Sequence, residues 1–343
     1  MRALVLERIG YLEVQERPDT QAGEGQVLIR VQATGICGSD VHGYTGENGR
    51  RHPGQVMGHE SSGVVAALGA GAEESGLEVG DPVTFNPVVI PQSDVGEYAG
   101  REQMSPDKRV IGVDPTWVSS FAELVAVPVR NVVPLPAGLP IEHGALIEPL
   151  AVAVHAVRRA GVTAGQRVLV TGGGPIGQSL VLALRMADAG PVVVTEVDPG
   201  RRALVERIGA RTVDGSAHDA VEQAQALAGG PFDAAIDAVG IEPTVATALR
   251  ATRIGATVCL VGMGAPRLTL DAFLVSTAER TLVGSFTYSA ADFRDAAAWI
   301  GTAGDVASAL ISVQVPLSEG PAAFERLAGG TGAAGKVIVR LDR

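Results

Sequence analysis

Residues 167–184 read RVLVTGGGPIGQSLVLAL, and this stretch decides the fold. Arg167 to Thr171 is an apolar run of strand length, and Ile176, Leu180 and Leu184 recur at helical spacing. Between them, Gly172-Gly173-Gly174-Pro175-Ile176-Gly177 fits G-x-G-x-x-G. That pattern alone is weak. Placed between a strand and an amphipathic helix, it is the fingerprint of a turn that binds a dinucleotide. Gly172 permits the tight turn, Gly174 lets the backbone approach a pyrophosphate, and Gly177 lets helix and strand pack closely. Pro175 suits the first helical turn, where no amide donor is needed, and Ile176 opens the apolar face. The helix N-terminus favours the negative phosphates. Glu196 ends the next strand, 19 residues after Gly177, where an acid is expected to bind the adenosine ribose. A carboxylate there would repel a 2′-phosphate and favours NAD over NADP. Arg201 and Arg202 lie just beyond, where they could reverse that preference; a solvated helix start, or Arg201 stacked on adenine, is the other reading of the pair.

Outward from this loop the pattern keeps alternating. Strand-like segments recur at Val192 to Glu196, Phe232 to Asp237, Thr257 to Val261 and Thr281 to Ser285. Helix-like segments at Arg201 to Ile208, Ala220 to Ala228 and Thr244 to Arg250 separate several of them. Such alternation predicts an α/β Rossmann domain over about 151–289, a doubly wound parallel sheet with helices on both faces. Residues 1–90 instead show short strands punctuated by Gly, Pro and Asp, as at Gly80-Asp81-Pro82, which predicts a partly open β-barrel. Residues 91–120 are irregular and polar, and residues 121–135 return to strand. After Tyr288 the alternation stops. One further helix near Ala291 to Ile300, Gly-Pro turns and a last strand, Lys336 to Leu341, complete the chain.

The 343 residues suffice for two domains with sizeable cores. A formal net charge of −11 without a basic run argues against nucleic acid or an anionic membrane as partner. Two widely separated cysteines, Cys37 and Cys259, form no disulfide framework. The apolar runs are broken by Glu148, Arg185 and Asp188, which argues against a membrane span. Met1-Arg2 leads straight into the strand-like Ala3 to Leu6, and a cytoplasmic protein is expected.

A second stretch carries chemistry. Gly35-Ile36-Cys37-Gly38-Ser39-Asp40-Val41-His42 is followed by Gly58-His59-Glu60 and, much later, by Ile147-Glu148-Pro149-Leu150-Ala151. Thiolate, imidazole and carboxylate are the ligand types of tetrahedral zinc. In this order, ahead of the nucleotide loop, the motifs resemble the zinc-dependent medium-chain dehydrogenases. The nearest pattern is the polyol (sorbitol) and threonine dehydrogenase branch, because Glu148 stands where the alcohol dehydrogenases carry a cysteine. The resemblance covers essentially the whole chain. It implies a GroES-like catalytic domain built from residues 1–150 and 290–343, around the Rossmann domain. It implies Cys37 and His59 as constant zinc ligands, with Glu60 and Glu148 sharing the remaining positions in an order the sequence does not rank. Zinc then acts as Lewis acid on an alcohol oxygen, and the nicotinamide takes the hydride. Ser39 and His42 match the proton relay, histidine being suited by a pKa near working pH. Asp40 is expected to orient a metal ligand from behind.

Many members of that family carry a second, structural zinc on four cysteines. The corresponding positions here are Pro91, Asp94, Glu97 and Ser105. Proline cannot ligate through its side chain and serine is a poor zinc ligand, so one catalytic zinc and no structural zinc are expected. The expected activity is NAD-dependent, reversible oxidation of a secondary alcohol, with a polyol, sugar or cyclitol as substrate. Threonine or 2,3-butanediol dehydrogenation by the same machinery is the first alternative, and a non-catalytic dinucleotide-binding protein the second. Tyr44, Trp117 and Phe121 are candidate substrate contacts from their neighbourhood alone. The resemblance also suggests a homotetramer, paired near Leu282 to Phe286.

Overall fold

The computed structural model describes residues 1–47 and 49–342. The chain folds as two compact units, Met1–Glu148 with Ser289–Arg343, and Pro149–Tyr288.

The first unit is built around one long strand, Gln26–Gly35. Along one edge it pairs antiparallel with Glu60–Leu68. Along the other edge its first half pairs with Leu124–Pro128 and its last residues with Lys336–Arg340. Register shifts at Leu28/Ile29 and Val31/Ala33 bend it, as bulges do, which lets one strand serve three neighbours. The sheet continues through Pro82–Phe85 and Val132–Pro134 on one side and Ile311–Pro316 on the other. Its apolar core includes Leu4, Ile29, Val65, Phe85, Phe121, Phe324 and Val339. Helix α1, Gly38–Thr45, leaves the end of Gln26–Gly35 directly.

Helix α2, Ile147–Arg159, starts with Glu148 in its first turn. In the second unit, strands β1 (Val168–Thr171), β2 (Val192–Glu196), β3 (Arg211–Asp214), β4 (Phe232–Asp237), β5 (Thr252–Leu260) and β6 (Thr281–Gly284) form one parallel sheet. Their order is β3-β2-β1-β4-β5-β6, the doubly wound order whose reversal falls beside β1. Strands β1, β2 and β4 are buried along nearly their whole length, and β1 and β2 are rich in β-branched residues, as parallel strands covered on both faces are. Helix α3, Pro175–Met186, follows β1 with Gly174 as N-cap and proline in its first turn.

The sequence pattern passed over several elements. Strand β3 was missed because only Val213 among its four residues is buried, so no apolar run marks it. Ile311–Pro316 has the same fault, with Val315 its buried residue. The tail also holds helices Asp305–Leu310 and Gly320–Ala328 where turns were expected. Gly320-Pro321 looks like a turn but opens a helix, because proline fits the first helical turn. Among the described residues no helix is long and apolar enough to cross a membrane.

Candidate functional site

The nucleotide loop is shaped by close approach. Gly172 has φ +95°, a backbone that favours glycine, and a Cβ at Gly177 would overlap the Gly172 carbonyl oxygen. Gly174 is different: the nearest group to its absent Cβ is Arg201 Nη1 at 3.8 Å, so this part of the loop stays open. Glu196 is buried at the end of β2. Its Oε2 accepts a hydrogen bond from Gly173 N at 2.7 Å, and its Oε1 accepts one from Asp198 N at 2.8 Å. The acid therefore braces the loop as well as facing it. Arg202 is committed elsewhere: it donates to the carbonyls of Glu196 and Val197 at 2.8 Å and lies 3.5 Å from Asp214. Of the two arginines, Arg201 is the one beside the loop.

The first unit gathers the other candidate residues. Cys37 stands at the N-terminus of α1, and Glu60, directly after His59, begins the strand antiparallel to Gln26–Gly35 and lies opposite Gly35. The ligand atoms of Cys37, His59 and Glu60 all lie within 4.8 Å of one another. Among the described residues this is the group of three or more such side chains placed to hold a metal ion. Two of its buried polar atoms, His59 Nδ1 and Glu60 Oε2, make no hydrogen bond; Nδ1 lies 3.6 Å from Asp40 and Oε2 lies 2.7 Å from the Lys336 ammonium. Glu148 is buried too, and its charge reaches His59 and Lys336.

Asp40 lies behind the cluster, fully buried. Its Oδ1 is 3.6 Å from His59 Nδ1 and accepts a hydrogen bond from Arg51 Nη2 at 3.0 Å, and its Oδ2 lies 3.4 Å from Cys37 N. Burial alone would lower the His59 pKa, but Asp40 and then Cys37 outweigh it and raise it to about 10. Asp40 and Glu60 are paired here with one guanidinium and one ammonium, Arg51 and Lys336. The donor types, gathered within 4.8 Å of one another, fit zinc.

Two residues of this assembly were absent from the sequence-level candidates. Lys336, buried at the start of the last strand, places its Nζ 2.7 Å from the Glu60 carboxylate. Burial would lower its pKa, but Glu60 and then Cys37 raise it, so it remains an ammonium. Arg51 is buried with its side chain laid across Gly43. A lysine opening an otherwise apolar strand, Lys336-Val-Ile-Val, was the available signal for the first; a second arginine in a polar loop gives none for the second.

Ser39 is half-buried and His42 exposed, three residues apart on α1 and so on neighbouring positions of one helix face. His42 Nδ1 is 3.9 Å from Glu47 Oε2. Of the three aromatic candidates, Tyr44 and Phe121 lie in the core and Trp117 packs against it, partly buried. Phe121 and Tyr44 pack on Phe324 at ring distances of 5.5 and 5.8 Å. Trp117 donates its indole N–H to Ala126 O at 2.9 Å, under the Arg109 guanidinium.

Two family models match the chain, one described as zinc-binding dehydrogenase over residues 175–302 and one as alcohol dehydrogenase GroES-like domain over residues 23–137. D-xylulose reductase A of Aspergillus niger is 32% identical, with 96% of this chain and 94% of that protein covered. The chain belongs to the zinc-binding dehydrogenases. Sorbitol dehydrogenase of Gallus gallus is 31% identical to this dehydrogenase, with 99% and 96% of the two chains covered. A Sinorhizobium meliloti protein described as a zinc-binding dehydrogenase, solved bound to NADP, superposes with a TM-score of 0.89 at 31% identity, with 99% of each chain covered.

Proposed function

We propose that this dehydrogenase oxidises a secondary alcohol of a polyol, sugar or cyclitol reversibly to a ketone, with NAD as acceptor and a single zinc. The observation that carries it is the Cys37–His59–Glu60 cluster, whose ligand atoms lie within 4.8 Å of one another. The substrate class rests on the likeness to D-xylulose reductase A and sorbitol dehydrogenase.

Cys37, His59 and Glu60 would hold the metal, with Glu148 close enough to act through its charge. Zinc, when bound, supplies Lewis acidity that makes an alcohol easier to deprotonate, and the nicotinamide supplies the hydride acceptor. Asp40 orients His59 from behind, and Arg51 holds Asp40. Ser39 accepts the substrate's hydroxyl proton in a hydrogen bond, and His42, exposed one turn along the helix, passes it to solvent. On the nucleotide side, Gly172, Gly174, Pro175, Ile176 and Gly177 form the cradle for the pyrophosphate. Glu196 faces the adenosine ribose and disfavours a 2′-phosphate, and Arg201 flanks the adenosine half. The enzyme is read as a cytoplasmic homotetramer; β6, at the outer edge of the parallel sheet, is the strand available for pairing.

The test is turnover by the purified protein of xylitol, sorbitol, inositol, L-threonine and 2,3-butanediol with NAD and with NADP. Polyol oxidation faster with NAD is expected. Turnover of L-threonine or butanediol without any polyol would overturn the substrate class. No turnover of any alcohol by zinc-loaded protein would overturn the activity.

A further inference from the structure

The strand carrying Lys336 pairs with the end of Gln26–Gly35 through Ile338 opposite Gly35, while Glu60 faces Gly35 from the other side. Side chains two residues apart on a strand share a face, so Lys336, Ile338, Gly35 and Glu60 lie on one face of the sheet. Gly35 is the gap in that face. A Cβ there would overlap Glu60 Oε2 and lie 3.3 Å from Lys336 Cδ. Through this gap Lys336 Nζ donates to Glu60 Oε1 at 2.7 Å. Nζ is also 2.7 Å from Oε2, so the ammonium sits against both carboxylate oxygens. Both side chains are buried, Lys336 to 4% exposure and Glu60 to 0%. The buried ammonium thus holds the carboxylate beside Cys37 and His59.

We propose that Lys336 is a positioning residue that holds the Glu60 carboxylate across the Gly35 gap and so fixes its direction toward the metal site. This rests on the zinc reading above. Outer partners of metal ligands orient them, and losing one typically lowers metal affinity about 10–100-fold. Lysine suits the role because it is a donor only and cannot itself compete for the metal while it remains an ammonium.

The experiment is zinc affinity by chelator competition, together with the visible spectrum of the cobalt-substituted protein, for wild type, K336M, K336R, E60Q and E60Q/K336M. K336M should bind zinc about 10–100-fold more weakly and alter the cobalt spectrum, and K336R should restore most of the affinity. In the E60Q background, K336M should cause no further loss. Wild-type affinity and an unchanged cobalt spectrum in K336M would overturn the proposal, as would an equal loss in the E60Q background. Should K336M not fold, G35A keeps the question open to test: its methyl displaces Glu60 Oε2 while Lys336 keeps its charge. Zinc affinity should then fall, and an unaltered affinity would overturn the proposal. Failure of the wild-type protein to take up zinc at all would instead remove the metal reading itself.

Discussion

Two regions of the first unit invite comparison, the Cys37–His59–Glu60 cluster and the lobe from Pro91 to Ser105. Both hold acids and polar groups at positions where zinc dehydrogenases bind metal. In the cluster, donors are buried and incompletely satisfied: His59 Nδ1 and Glu60 Oε2 have no hydrogen-bond partner. In the lobe the donors satisfy one another. Ser105 Oγ donates to Asp94 Oδ2 at 2.6 Å. Glu102 accepts from Gly100 N and from Ala290 N, both at 3.0 Å, and Arg101 Nη2 donates to Glu97 O at 3.2 Å. A metal site is therefore recognisable by what its donors lack. The lobe's acids Asp94 and Glu102 instead tie its own side chains and backbone together.

The comparison can be broken most sharply at Cys37. Cys37→Ala should remove zinc and lower turnover by more than about 100-fold, the upper range for disturbing a metal site's outer partners. NADH binding, read by fluorescence titration, should persist because the nucleotide loop is built wholly within Pro149–Tyr288. Zinc retained by this variant would show that the cluster is not the site. A smaller effect is expected at Glu196, whose removal should shift the NAD/NADP ratio of kcat/KM roughly tenfold towards NADP, an effect of about 1.4 kcal/mol. Because Glu196 also binds Gly173 N, NAD binding itself should weaken. An unchanged cofactor ratio would deny it the ribose role.

The lobe offers the next test. Ser105→Ala removes a buried hydroxyl and its bond to Asp94, and should lower stability by about 1 kcal/mol in denaturant unfolding. Zinc content should not change; loss of a metal ion in this variant would mean that the lobe does bind one. The smallest effect concerns His143, away from both regions. Its ring accepts or donates a hydrogen bond with Ser308 at 3.1 Å, and burial lowers its pKa below the ordinary 6.5. The folded protein then binds fewer protons than the unfolded chain. The stability this residue contributes is full above pH 6.5 and is lost as pH falls through the lower folded value. His143→Gln should flatten that acid-side decline in melting temperature, and an identical pH profile would count against it.

What was legible in the sequence was local. The nucleotide loop could be read because Gly172, Gly177, Pro175 and the apolar stripe of α3 act over a dozen residues and obey helix and turn stereochemistry. Cys37, His59 and Glu60 could be read as a set because their residue types are rare together. Lys336 could not, since its partner Glu60 is 276 residues away in the chain and lysine is almost never buried unpaired. Tyr44 and Phe121 misled for the opposite reason. They are near the site in sequence, but Phe324 from the far end of the chain claims them for the core. Strand β3 was hidden because Arg211, Thr212 and Asp214 place polar groups along a strand secured by pairing with β2.

The central claim is that this chain keeps one metal site, at Cys37, His59 and Glu60, and none in the lobe. Metal analysis of the purified protein and of Cys37→Ala, prepared side by side in the presence of zinc, tests it most directly. One zinc per chain in the first and none in the second is the predicted result. Two zincs per chain, or one zinc that survives the loss of Cys37, would contradict it.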